Sequence, residues 1–448
     1  MKKYDKSTVS TTLSIAVPAM VESISSAVTS LVDSLMVSSL GANAVAAIGL
    51  TGQPKFLALV PLSGITTATT TLVARRFGEK RRDEANRIFI TALTATLPLI
   101  VLISIIMYIF TPQIISFCGS EPQTHDDAVT YLRIVLCGLF LNAVQNVANS
   151  AQRGAGNTKI TMRTNLTSNI VNVIFNYLLI GGNFGFPALG VKGAAIATLL
   201  GTLVAAAMSA AAVLNHHEFV SLTYILNQKM KPTIAALKNI LKIGYSLFFE
   251  NALMRIGLFA SALMVANQGT AALAAHQVCT NILTISVSFG NGLSAAAVAL
   301  VGRSLGEKNP ELAKEYGRTC QMIGYVLTAF VAVLFITFGK SILSMFFKEE
   351  HIIEIGFSIL KIIIFIVALQ ISHLIYFGCL RGAGDITYTT VIAVTGIVII
   401  RPAIGYLLGY TLGLGINGIW LGILADHIVR YIIGFTRFKK GKWTEIKI

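Results

Sequence analysis

The chain has 448 residues, 54% of them hydrophobic and only 12% charged, where an ordinary soluble domain carries about 25% charged residues. That composition excludes a water-soluble enzyme or binding domain and makes this an integral membrane protein, with the lipid bilayer as its solvent. The net charge of +15 does not point to nucleic acid, because 27 of the 35 lysines and arginines fall in short segments that share one side once the spans are drawn.

Apolar runs between polar punctuation predict twelve helices: 10–37, 45–74, 89–113, 127–152, 162–182, 188–214, 236–266, 273–302, 316–342, 353–379, 387–411 and 414–436. The first is too long for a signal peptide and lacks a small-residue cleavage pattern, so it reads as a retained span. The basic segments are Lys2 to Lys6, Arg75 to Arg87, Arg153 to Arg163, Lys229 to Lys242, Arg303 to Arg318, Arg381, and Arg430 to Lys447. By the positive-inside rule they place both termini in the cytoplasm of a multi-pass protein, expected in a prokaryotic cell membrane.

Shifted by 228 residues, the chain matches itself. Glu22 falls on Glu250, Gly41 on Gly269, and Ala46-Ala47 on Ala274-Ala275. The run Arg75, Gly78, Glu79, Lys80 and Ala85 falls on Arg303, Gly306, Glu307, Lys308 and Ala313, and Arg153-Gly154-Ala155-Gly156 falls on Arg381-Gly382-Ala383-Gly384. Matches in glycine, alanine and charge at one fixed offset mark an internal duplication. Six spans per copy is an even number, so the copies run parallel, related by a pseudo-twofold axis along the membrane normal. The expected organisation is all-α: a six-helix lobe at 1–215, a cytoplasmic linker at 216–235 and a second six-helix lobe at 236–448.

An ionisable side chain in hydrocarbon costs at least about 2.5 kcal/mol on insertion scales, so each one needs a reason. Inside the spans stand Glu22, Asp33, Arg133, Glu250, Arg255, Lys361, Arg401 and Asp426. Asp33 follows Glu22 by about three helical turns, roughly 16 Å along the same face. A face with two carboxyls should line a cavity between the lobes, and the repeat puts Glu250 on the corresponding face of the seventh span. The fifth span supplies Asn169, Asn172 and Asn176, the last two stacked at i and i+4. The sixth supplies Thr198 after the small-residue run Gly193 to Ala197.

One carboxylate, two amide oxygens and a hydroxyl or backbone carbonyl make an oxygen shell for a hard monovalent cation. They suit a proton relay equally well, and the plainer reading of Asn and Thr is helix-to-helix hydrogen bonding. Arg401 and Asp426 are expected to form a structural ion pair, and Arg133 and Lys361 to snorkel from helix ends. The five cysteines and seven histidines show no CxxC or HExxH spacing, so no catalytic residue, resident metal or cofactor is expected. The glycines after Arg75 and Arg303 lack phosphate-loop spacing. With no nucleotide site, the energy for any work must come from an ion gradient.

These features together resemble the multidrug and toxic compound extrusion family. The resemblance rests on Leu31-Val32-Asp33-Ser34-Leu35-Met36-Val37 followed by Leu40-Gly41, and on the paired Arg-Gly-Ala-Gly turns. The stretches Asn172-Val173-Ile174-Phe175-Asn176-Tyr177 and Leu189-Gly190-Val191-Lys192-Gly193-Ala194-Ala195 complete it. It implies a first-lobe cation site of Asp33, Asn172, Asn176 and Thr198 with the Ala194 carbonyl. Where some members have an aspartate this chain has Asn176, which leaves one formal charge and both Na⁺ and H⁺ open. Glu250 resembles a glutamate that binds cation or substrate in one branch, and with Glu22 it is expected to face the cavity. The aspartate that branch uses in the tenth span is Gln370 here.

The function implied is a monomeric cation-coupled antiporter that exports small amphipathic, often cationic organic compounds by alternating access. A flippase for a lipid-linked or peptidic precursor with the same two-lobe fold is the alternative, and a channel a third class. Asp33 falls on Ser261 and Asn176 on Ile404 at the repeat offset, so the cation chemistry is expected in the first lobe alone.

Overall fold

The computed structural model describes residues 6–446. Lys2, Lys3 and Lys447 of the basic segments lie outside the described residues. Within them no β-strand occurs, and the chain is a succession of helices. In order these are α1 (Lys6–Ser38), α2 (Ala42–Gly78), α3 (Arg82–Ile109), α4 (Thr111–Phe117), α5 (Pro122–Cys137), α6 (Leu139–Gly154), α7 (Thr158–Ile180) and α8 (Gly190–Leu214). After the short α9 (Leu222–Asn227) come α10 (Ile234–Ala266), α11 (Thr270–Gly306), α12 (Pro310–Ser344), α13 (Glu350–Gly382), α14 (Ile386–Val394), α15 (Arg401–Tyr406) and α16 (Gly415–Lys440).

The repeat is written into the backbone. Helices α2 and α11 both have 37 residues and start 228 residues apart. Gly41 and Gly269, which precede α2 and α11, both hold φ 99°, a conformation that costs glycine little and other residues much. Lys80 and Lys308, just past the ends of the same helices, both hold φ 57°.

Among the described residues ten helices are long and apolar enough to cross a membrane, and the pair α5 and α6, bent by 45°, makes an eleventh span. The twelfth expected span is α7, whose asparagines and Arg163 dilute its apolar character. Two expected spans are not straight α-helices. The fourth is broken between α5 and α6 at Gly138, where an added Cβ would lie 2.7 Å from Leu199 Cδ1. The eleventh carries π-helical turns at Thr395–Ile400 and Leu407–Thr411 on either side of α15, with Pro402 lacking the N–H that a regular α-helix would use there.

The described chain divides into two compact units, one of Ile24–Tyr245 and the other joining the first span up to Ser23 to the chain from Ser246. In this division α1 and α10 are each shared between units. In the first unit helices touch at glycine: a Cβ on Gly64 would meet Gly244 O at 2.6 Å. Small residues let backbones approach where lipid supplies no hydrophobic drive to associate. The linker also belongs to this unit. Arg82 donates to the carbonyls of His216 (2.7 Å), Glu218 (2.7 Å) and Phe219 (3.2 Å), and Asn86 Oδ1 accepts from Ser221 N at 2.9 Å. Next to it the Tyr224 hydroxyl donates to Asp83 at 2.7 Å, and that bond holds the phenol above its ordinary pKa.

Candidate cation site

Within the unit Ile24–Tyr245, helices α7 and α8 lie close because Gly201 permits it. A Cβ there would sit 2.9 Å from Ser168 O and 3.1 Å from Asn172 Cβ, and Ser168 Oγ donates to the Gly201 carbonyl at 2.8 Å. This contact sets the asparagine face of α7 against Thr198. Behind it an apolar cluster of Val37, Tyr131, Val135, Ile180, Val191 and Ala195 fixes α1, α5, α7 and α8 together.

On α1, Ser30, Asp33, Ser34 and Val37 recur at helical spacing and line a cavity of about 380 Å³ together with Tyr131, Asn176, Ala194 and Thr198. Asn176 Nδ2 donates to Asp33 Oδ1 at 2.6 Å. With its amide nitrogen turned to the carboxylate, Asn172 donates to the same oxygen at 2.8 Å and accepts from Thr198 N at 3.3 Å, an orientation fixed by the surrounding hydrogen bonds. Thr198 Oγ1 in turn donates to the Ala194 carbonyl at 3.0 Å. The five residues expected to form the site therefore lie together.

Their polarity differs from a shell of oxygens. Two amide nitrogens face the carboxylate, and the Ala194 carbonyl and Thr198 hydroxyl engage one another. Asn176 Oδ1 is left buried with no hydrogen-bond partner. An acceptor with no donor in a buried place is a position for a cation or a hydrogen-bond donor. Asn169 takes no part and donates to Ser25 at 2.9 Å. The cavity also contains Lys55 of α2.

Glu22 and Glu250 do not join this cavity; they belong to the other unit. Glu22 is half-buried on α1. Glu250 is buried, with one oxygen 2.6 Å from Arg381 Nη2 and the other accepting from Thr390 at 2.9 Å. Its ion-pair partner is the arginine of the second Arg-Gly-Ala-Gly turn.

The same unit holds a second buried cluster. Asp426, fully buried, takes Arg401 Nη2 on Oδ2 at 2.7 Å and Arg430 Nε on Oδ1 at 2.6 Å. The Arg401 and Asp426 pair expected from sequence is present, with Arg430 as a third member. Beside it His373 Nε2 lies 3.0 Å from His427 Nδ1, the rings stacked at 5.2 Å. Arg133 and Lys361 rest over the rings of Tyr108 and Phe357.

The MatE family profile matches residues 18–178 and 246–407, one match in each copy of the repeat and together well over half the chain. The chain belongs to the MatE family. It is thus a multi-pass membrane transporter rather than an enzyme. Its relatives include the probable multidrug resistance protein NorM of Thermotoga maritima, 27% identical over 96% of this chain and 92% of that one. The protein of the same name from Bacillus anthracis is 30% identical over 81% of this chain and 80% of its own. Among solved structures, a multidrug resistance MATE family transporter of the MOP superfamily in an outward-facing conformation superposes with a TM-score of 0.90 at 22% identity, over 98% of this chain and 100% of that one. A MOP superfamily transporter from Pyrococcus furiosus Vc1 does so equally, with TM-score 0.90, 22% identity and full coverage of both chains. At that identity the two structures establish the fold.

Three site residues of this MatE chain escaped the sequence reading. Lys55 stands inside the predicted span 45–74 and belongs with the other intramembrane charges, and α2 runs unbroken through it. Arg430 was assigned to the basic tail, although Asp426 one turn earlier marks it as a partner. Tyr131, which lines the cavity together with Thr198, sits in an otherwise ordinary amphipathic stretch.

Proposed function

We propose that this chain is a cation-coupled multidrug antiporter, exporting small amphipathic and often cationic organic compounds as a monomer by alternating access, with Na⁺ or H⁺ as the coupling ion. The observation that carries the reading is Asp33, a carboxylate held by two asparagine amides in the wall of a cavity inside a membrane transporter. The names of the relatives from Thermotoga maritima and Bacillus anthracis support multidrug export. The mechanism is competition. Asp33 in its charged form favours the arrangement that binds substrate, and a cation or proton at the carboxylate favours the other, since only a ligand with different affinities for two states can shift their balance. The basic segments support a cell-membrane protein with both termini on the cytoplasmic side.

A flippase of a lipid-linked or peptidic precursor calls for a cationic cavity to hold phosphate or carboxylate. Here one carboxylate and one ammonium leave the wall formally neutral, which favours the antiporter. The test is dye efflux from proteoliposomes with Na⁺ and H⁺ gradients imposed separately. Native protein should respond to one gradient, and Asp33→Asn should respond to neither. Full gradient-driven efflux by Asp33→Asn would refute the coupling role.

A further inference from the structure

Among the described residues that line the cavity of Asp33, Lys55 is the one other charged side chain. Its position follows from helix geometry. Val45, Ile48, Gly49, Gly52 and Lys55 all line the cavity, and their spacing is that of one face of α2. The two asparagine amides spend their N–H groups on Asp33, and Asn176 Oδ1 stays buried without a donor. An ammonium has three donors and no acceptor, so it is complementary to this set. The repeat supplies an independent observation. At the 228-residue offset Asp33 falls on Ser261 and Lys55 on Leu283: one copy has both charges and the other has neither.

We propose that Lys55 is the tethered counter-cation of Asp33 and determines the cation selectivity of the site, its ammonium keeping a positive charge in the wall of the cavity that an alkali ion would have to enter. This rests on the reading of Asp33 as the coupling carboxylate. With Lys55 present the wall is neutral, and an entering Na⁺ makes it positive in a medium of low dielectric, where like charges in one small cavity repel strongly. Na⁺ therefore binds weakly to the native chain, and removing the ammonium opens a monovalent site of one carboxylate and the Asn176 oxygen.

The experiment is equilibrium binding of radioactive Na⁺ to the purified full-length protein at fixed pH and ionic strength. Lys55→Met should raise Na⁺ affinity on the order of tenfold or more relative to native protein, Lys55→Arg should bind as weakly as native, and adding Asp33→Asn to Lys55→Met should abolish the gain. Lys55→Gln serves as a second neutral variant if Lys55→Met does not yield folded protein. Equal Na⁺ affinity in native protein and the neutral variants overturns the proposal, as does a gain that survives Asp33→Asn. These outcomes are separate from the coupling role itself, which falls if Asp33→Asn alone keeps gradient-driven efflux.

Discussion

In the unit Ile24–Tyr245, Asp33 and Lys55 line a cavity of about 380 Å³, whereas in the other unit Asp426 is fully buried and gripped by Arg401 and Arg430. Both are ionisable groups within spans of one duplicated frame. The difference is accessibility and pairing. A carboxylate at a cavity wall can exchange its partner, while a carboxylate locked between two guanidiniums cannot without exposing a bare buried charge. Charge inside a membrane thus has two uses in this chain, one as a site and one as a strut. The ionisable residue type alone does not say which.

The largest effect that separates the two should come from Asp426→Ala. It leaves two guanidiniums buried with no counter-ion, a loss of about 3–5 kcal/mol for breaking such a cluster, visible as a large drop in thermal unfolding midpoint and in yield. Asp33→Asn should abolish gradient-driven efflux while leaving that midpoint near native, because the amide still meets its neighbours and the site is half-exposed. A Asp33→Asn protein as unstable as Asp426→Ala would erase the contrast between site and strut. Glu250→Gln should fall between, costing about 1–3 kcal/mol as Arg381 loses its charged partner, measured by chemical unfolding in detergent. Smallest is Arg303→Ala, which breaks a part-exposed pair with Glu307 at 2.9 Å and should change the midpoint by no more than about 1 kcal/mol equivalent.

The frame of the molecule was largely legible in its residues because the repeat is carried by turns, and turns need particular residues. Gly41 and Gly269 share a backbone conformation as well as a letter. The twelve helical segments followed from apolar length, a direct consequence of bilayer thickness. Departures from straight helices were not visible: the π turns around Arg401 are built from the same aliphatic residues as any span, and Gly138 is one glycine among many. The Asp33 cluster could be read because three of its polar groups stand out from apolar runs at helical spacing. The pairing of Glu250 with Arg381 and of His373 with His427 joins residues far apart in sequence, and no local pattern announces such contacts. Lys55 shows a different failure: it lies inside the predicted span 45–74 and was as legible as the other intramembrane charges, but only the folded cavity sets it beside Asp33.

The turn after α2 and the turn after α11 each close on a lysine at φ 57°, Lys80 and Lys308, with the lysine N–H donating at 3.1 Å to Phe77 O in one and Leu305 O in the other. A left-handed residue that is not glycine costs roughly 1 kcal/mol, so each copy bears that strain where glycine would relieve it. The same residue in the same unfavourable geometry, on both sides of the duplication, is a shared inheritance: the turn is older than the joining of the halves.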